Sequence, residues 1–228
     1  MKTIEPIAHI KTDFKEKFGI PRQSGKSPTA KGIIIFDEKY RNIDALKGIE
    51  EFSHLWLIFD FSAAHIDGWS PTVRPPRLGG NKRIGVFATR SPFRPNSLGL
   101  SSVKLESLYK DNKFGYVLEV SGVDLLDGTP IYDIKPYLAY TDSHPDATGS
   151  YADKNLSHKL EVVFLKNCDD VLNNEQKSTL IECLSDDPRP SYIDDNNRIY
   201  KMNFSEFEIV FKVDDKVLMV TSINRAKK

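Results

Sequence analysis

The chain has 228 residues, 39% hydrophobic and 28% charged, with 32 basic residues against 32 acidic ones. This composition excludes a disordered chain, and a formal net charge of zero argues neither for nor against a nucleic-acid partner. No apolar run approaches the roughly 20 residues that cross a bilayer. The only two cysteines, Cys168 and Cys183, with no secretion signal, predict reduced thiols and a cytoplasmic protein.

In chain order, "EPIAHIKTDF" reads as a first strand, followed by the loop "KEKFGIPRQSGKSPTAKG". "KGIIIF" is a β-branched run that predicts a buried strand. Asn42 stands as N-cap to a short helix in which Ile43, Leu46 and Ile49 recur at helical spacing. "FSHLWLIFDF" returns to strand, and His54 in it reads as a satisfied core histidine rather than a base. Between residues 62 and 82, Pro71, Pro75, Pro76, Gly79 and Gly80 forbid a long helix or a central strand. "RIGVFA", "LGLSSVKLESLY" and "FGYVLEVSGVDLL" read as strands. Asp127-Gly128 signals a turn before the strand in "LDGTPIYDIKPYL".

Polar residues over 143–156 mark a boundary. Beyond it come the strand "KLEVVFL", a helix over about 174–184, the connector "DDPRPSY" and strands in "RIYKMNF", "EFEIVFKV" and "KVLMVTSI". The predicted architecture is mainly β or α+β: a β-barrel-like domain over 1–150 and a small α+β domain over 151–228.

The charge is unevenly spread. No acidic residue lies between Asp67 and Glu106, where Arg74, Arg77, Lys82, Arg83, Arg90, Arg94 and Lys104 all fall. Such a block attracts phosphates or carboxylates if it folds into one patch, and otherwise is solvated surface. The sequence contains no G-x-x-x-x-G-K-[ST], G-x-S-x-G or C-x-x-C, and its histidines form no i, i+4 pair. These absences argue against a P-loop, a hydrolase elbow and a resident metal.

There remains a set of polar segments bounded by Gly and Pro at strand ends: "IPRQSG", "RPPRLGGN", "TRSPFRPNSLG" and "DLLDGTPIYDIKPY". Arg90 and Arg94 offer planar forks for carboxylate or phosphate. Asp127 offers an acceptor for a hydroxyl or an ammonium. Peptide N–H groups around Gly128 and Thr129 are expected to be open to a ligand. Together the segments fit a small molecule with an anionic and a cationic end.

"PRQ", "GWSPTVRPPRLGGNKRIGVFATRSPFRPNSLGLS" and "DLLDGTPIYDIKPYL" closely resemble the TsaA-like family, in particular its bacterial TrmO tRNA methyltransferases. The resemblance runs from about Ile7 to Tyr151 and continues more weakly through "DPRP". It implies a β-barrel unlike the Rossmann methyltransferases, a homodimer, and S-adenosylmethionine as methyl donor. The implied substrate is tRNA bearing N6-threonylcarbamoyladenosine beside the anticodon, which receives an N6-methyl group. Implied donor contacts fall on Pro21, Arg22, Gln23, Arg90, Leu100, Asp127, Gly128, Thr129 and Pro130. They also fall on Ser62 and Ala63, where the family pattern often reads His-Gln. Arg74, Arg77, Arg83 and Arg94 are then candidates for the tRNA backbone, and Trp69 or Phe93 for base stacking, with packing the first reading for Trp69. No residue stands out as a dedicated base. Two other readings remain open: a donor-responsive module that binds RNA or protein, and a methyltransferase acting on another small substrate.

Overall fold

Alternation of apolar and polar residues sets the architecture, because every second side chain of a strand faces the same way. The computed structural model describes residues 3–75, 82–153, 159–168, 171–189, 195 and 198–226. Six strands close into a barrel: β1 (Ala8–Thr12), β2 (Lys31–Phe36), β3 (His54–Asp60), β6 (Leu98–Asp111), β7 (Gly115–Ser121) and β8 (Pro130–Pro136). Their order around the ring is β1-β2-β7-β6-β3-β8, and every pair is antiparallel. Ile10, Ile34, Leu55, Leu57, Leu118 and Ile131 are fully buried in its core. Pro130 opens β8, the position at which a strand tolerates the missing N–H.

The registers place three connections at one end of the barrel. Thr12 at the end of β1 faces Gly32 near the start of β2. Lys31 faces Ser121 at the end of β7, Asp60 at the end of β3 faces Leu98, and Phe59 faces Ile131 at the start of β8. The β1–β2, β3–β6 and β7–β8 connections therefore share a mouth. The β2–β3 and β6–β7 connections lie at the opposite end.

The second sheet has the order β10-β11-β12-β9, built from β9 (Glu161–Phe164), β10 (Ile199–Phe204), β11 (Phe207–Asp214) and β12 (Val217–Arg225). β9 runs parallel to β12, and α2 (Asn174–Ser185) packs beside it. A capping box between Asn173 and Gln176 starts α2, matching the helix expected there. Cys168 and Cys183 are free and buried, and burial pushes the Cys183 thiol up to about 12.

Four expectations need correction. Strand in "RIGVFA" is confined to β5 (Ile84–Gly85), which pairs with β4 (Thr72–Val73); Val86–Ala88 is a 3-10 turn. Asn42 does cap, accepting from the Asp44 N–H at 3.0 Å, but the segment it opens is a set of 3-10 turns. Gly48, with φ of 84°, breaks the run before it becomes an α-helix. His54 is only partly buried, bonded to the Ser53 hydroxyl at 3.0 Å at the end of the barrel away from the mouth. Of the core or interface packing expected for Trp69, the core half fails: it is half exposed and stacks on the exposed Phe87, with ring centroids 6.2 Å apart. A one-turn α1 (Ala139–Asp142) follows the barrel; the expected boundary and the "DPRP" segment fall partly outside the described residues, and Arg77 lies wholly outside them.

Candidate active site

Three of the four polar Gly/Pro-bounded segments, "IPRQSG", "TRSPFRPNSLG" and "DLLDGTPIYDIKPY", leave the one barrel mouth, where hydrogen bonds tie the connections together; most of "RPPRLGGN" lies outside the described residues. The Gly25 N–H donates to the Gly122 carbonyl at 2.9 Å, and the Asp127 N–H to the Phe14 carbonyl at 2.8 Å. Lys17 Nζ donates to the Ala63 carbonyl, and Arg90 Nη1 to Gln23 Oε1. The β1–β2 connection thus touches both of the others. Phe61 N–H to Ser97 O, at 2.9 Å, closes the base of the long β3–β6 connection.

Asp127 is already engaged. Its Oδ1 accepts from the Thr12 N–H at 2.9 Å, and its Oδ2 takes the ammonium of Lys15 at 2.8 Å. The expectation of open peptide donors at Gly128 and Thr129 fails. Gly128 N–H donates to Ile10 O at 2.8 Å and Thr129 N–H to Leu126 O at 3.1 Å, since β1 and the turn itself need those groups. Gly128 has φ of 78° and nothing within 4 Å of where a Cβ would stand, so its exposed face is open.

Pro21 is buried, while Ser62, Ala63 and Arg90 are exposed and Leu100 is 58% exposed on β6. Arg22 is partly buried and its guanidinium is engaged outside the barrel: its Nη2 donates to the carbonyls of Asp187 at 2.8 Å and Arg189 at 3.2 Å. Among the candidate RNA contacts, Arg74 and Arg83 are exposed, the latter donating to Thr72 Oγ1 at 2.7 Å. Arg94 differs from expectation. It is partly buried, and its Nη1 donates to Thr89 O at 2.8 Å and Val86 O at 3.4 Å, which makes it a tie within its own loop.

Three features of the site carry no signal in the sequence. Asp124, largely buried, accepts from Ser101 Oγ at 2.7 Å; burial pushes its carboxyl upward, against the lowering effect of its hydrogen bonds and of Arg90. His65 Nε2 lies 2.8 Å from Asp60 Oδ1. Finally, the second sheet grips the β1–β2 connection. Phe18 packs against both Tyr200 and Phe211, the three rings forming a triangle, the Ser205 N–H donates to Asp13 O at 2.7 Å, and Glu182 on α2 accepts from Ser27 Oγ and Thr29 Oγ1 at 2.7 Å each. All three join residue types common on any surface, so no spacing announces them.

Two open clefts of about 410 and 180 Å³ lie where the barrel meets α2, lined in part by Thr29, Lys31 and Glu175. Neither includes an implied donor contact, and the geometry that gathers the polar segments is at the mouth instead. Among the described residues no three His, Cys, Asp or Glu side chains gather to hold a metal ion, and no helix is long and apolar enough to cross a membrane.

Fold and loops together define a β-barrel protein whose polar residues collect at one mouth and are braced there by a second sheet. Its fold matches a crystal structure of TrmO from Pseudomonas aeruginosa with a TM-score of 0.80 and 30% identity, covering 99% of this chain and 98% of that one. The chain belongs to the TrmO family: the tRNA-methyltransferase O N-terminal domain matches residues 9–143 and the TrmO C-terminal domain residues 157–226. It is 42% identical over 221 residues to the tRNA (adenine(37)-N6)-methyltransferase of Escherichia coli K12, covering 92% of this chain and 93% of that protein. It is also 50% identical over 151 residues to a putative S-adenosylmethionine-dependent methyltransferase, RcsF, of Pseudomonas aeruginosa, covering 66% of this chain and 61% of that protein.

Proposed function

We propose that the protein is an S-adenosylmethionine-dependent tRNA methyltransferase that methylates N6 of N6-threonylcarbamoyladenosine beside the anticodon, with threonine tRNA as its main substrate. The observation that carries this reading is the meeting of three polar loops at one mouth, in a chain related along nearly its whole length to a tRNA (adenine(37)-N6)-methyltransferase. The residues suit the donor's chemistry. The exposed Arg90 fork and the Gln23 amide address a carboxylate, Asp127 an ammonium that takes the place of Lys15 on Oδ2, and Leu100 with the open face of Gly128 the flat nucleoside. Pro21, Ser62, Ala63, Thr129 and Pro130 shape the rest of the wall, and Arg22 fixes the loop that carries Gln23. The donor supplies an electrophilic methyl group, and the chain supplies alignment, which in such displacements accounts for much of the rate.

The mouth of one chain is open, whereas ligand sites enclose most of their ligand. Leu98, Leu100, Trp69 and Phe87 stand exposed around it, an apolar rim that a second copy of the chain would cover. A homodimer that completes the wall, a two-domain division near residue 150 and a cytoplasmic location belong to the same proposal.

Incubating the purified protein with S-adenosylmethionine and threonine tRNA isolated from cells lacking the activity tests it directly. Nucleoside mass spectrometry is expected to show threonylcarbamoyladenosine gaining one methyl group. No gain, with the donor nonetheless bound in calorimetry, would favour a donor-responsive binding module.

A further inference from the structure

We propose that His65, oriented by the buried carboxylate of Asp60, is the base that takes the proton from the acceptor nitrogen. This rests on the methyltransferase reading above. Asp60 ends β3, and its side chain is only 9% exposed, whereas the His65 side chain is 60% exposed. The 2.8 Å contact joins Asp60 Oδ1 to Nε2. A carboxylate there accepts the Nε2 proton, so the neutral ring presents Nδ1 outward as an acceptor. Among the described residues nothing else bonds to that ring.

The position is as informative as the pairing. His65 follows Ser62 and Ala63 by three and two residues, on the connection that leaves β3 at the mouth. Phe59 pairs with Ile131, which puts the Asp60 end of β3 beside the start of β8, directly after the Asp127–Pro130 segment. Asp60 is also near enough to Tyr132 to help hold its phenol above the usual range, second to burial. An exposed imidazole locked by a buried carboxylate therefore stands between two segments assigned to the donor. Among the described residues the other histidine–carboxylate pair, His9 with Asp37 at 2.9 Å, differs in that its carboxylate is 40% exposed.

The chemistry calls for an acceptor here. The N6 of a carbamoylated adenosine carries one hydrogen, and its lone pair is delocalised into both carbonyl and ring. As the new N–C bond forms, the sulfonium S–C bond breaks and leaves a neutral thioether. The N–H proton then passes to Nδ1, giving an imidazolium paired with Asp60, and from there to water. Charge and electrons balance without any further reactant.

In the full-length protein, His65→Ala is expected to lower kcat about 100-fold while leaving the calorimetric Kd for S-adenosylmethionine within about twofold, at unchanged melting temperature. The acidic limb of the pH–rate profile should vanish in this variant, and added imidazole should restore part of the rate. Independently of turnover, the His65 Nε2–H of the donor-free protein should exchange slowly with water in its imidazole NMR resonance, and fast in Asp60→Ala, which has no acceptor there. A His65→Ala protein with normal kcat and an intact acidic limb overturns the proposal, as does one whose donor affinity falls in step with kcat. A wild-type protein that binds the donor yet methylates no threonylcarbamoyladenosine overturns the functional reading itself, and the base with it.

Discussion

Single residues at the mouth divide by what their polar atoms already hold. Arg90 and Arg94 look equivalent in "TRSPFRPN", yet Arg90 is exposed and reaches across to Gln23, while Arg94 is turned inward onto the carbonyls of Thr89 and Val86. A guanidinium that satisfies two carbonyls orders the peptide around it, and that ordering is what presents Arg90. Gly99 is a second case. It pairs with Phe59 across β3 and β6, and a Cβ added there would lie 2.3 Å from the Phe59 ring. The ring belongs to the barrel core and is held edge-on by Phe61 at 5.2 Å, so it has little room to retreat. Gly99→Ala is therefore expected to destabilise the fold by about 1–3 kcal/mol, the usual cost of overpacking, read from the shift of a urea midpoint at constant m-value. Because Leu100 is the next residue, donor affinity should fall as well.

At the scale of elements, the β1–β2 connection is held more by the second sheet and α2 than by its own barrel. Glu182 takes three donors from it, the hydroxyls of Ser27 and Thr29 and the Thr29 N–H, and Ser27 is fully buried. Glu182→Ala leaves the Ser27 hydroxyl and the Thr29 N–H without that acceptor, while the Thr29 hydroxyl keeps Thr179 Oγ1 at 2.9 Å, at a cost of roughly 1–3 kcal/mol. Since Gln23 rides on the same connection, the variant should also weaken donor binding in calorimetry, although Glu182 is no donor contact; unchanged affinity would show that the brace is purely structural. This coupling is invisible in the sequence for a physical reason. Strands such as "KGIIIF", which is β2 residue for residue, announce themselves by a β-branched apolar run, and α2 by Leu180, Ile181 and Leu184 recurring along it. The Glu182–Thr29 contact spans residues 153 apart and involves side chains common on any surface. The Gly/Pro-bounded loops are legible as a set because unusual backbone demands unusual composition. The Asp60–His65 pair is close in sequence, yet one member closes an apolar strand and the other sits among small residues, so neither stands out. In "RIGVFA" the barrel overrides local pattern: an apolar run that predicts a strand becomes a two-residue β5 and a 3-10 turn.

For the whole molecule, zero net charge conceals a separation that the fold makes useful. The acid-free stretch from residue 68 to 105 covers most of the β3–β6 connection and the start of β6; of its described cations, Arg74, Lys82, Arg83, Arg90 and Arg94 lie on the connection that leaves the mouth, whereas Lys104 pairs with His54 and contacts Glu106. The compensating acids lie elsewhere along the chain, with Asp186, Asp187, Asp194 and Asp195 crowded into one short stretch of its C-terminal third. A neutral protein organised this way attracts a polyanion best in one orientation, with its mouth forward. Attraction of that kind is dominated by counterion release, so tRNA affinity should fall linearly with salt on a double-logarithmic plot. The donor, small and without phosphate, should be bound with little salt dependence. Arg74 is exposed on the described part of that connection, and Arg74→Ala is expected to reduce the salt slope by about 0.7–0.9, the share of one phosphate contact. Filter binding of threonine tRNA over a salt series measures this, with calorimetry of the donor as control. A slope equal to that of the wild type would remove Arg74 from the RNA surface, and a parallel loss of donor affinity would assign it to the mouth's own architecture. Steering by separated charge, rather than by net charge, is thus what would allow a protein with a sequence pI near 7.0 to find tRNA.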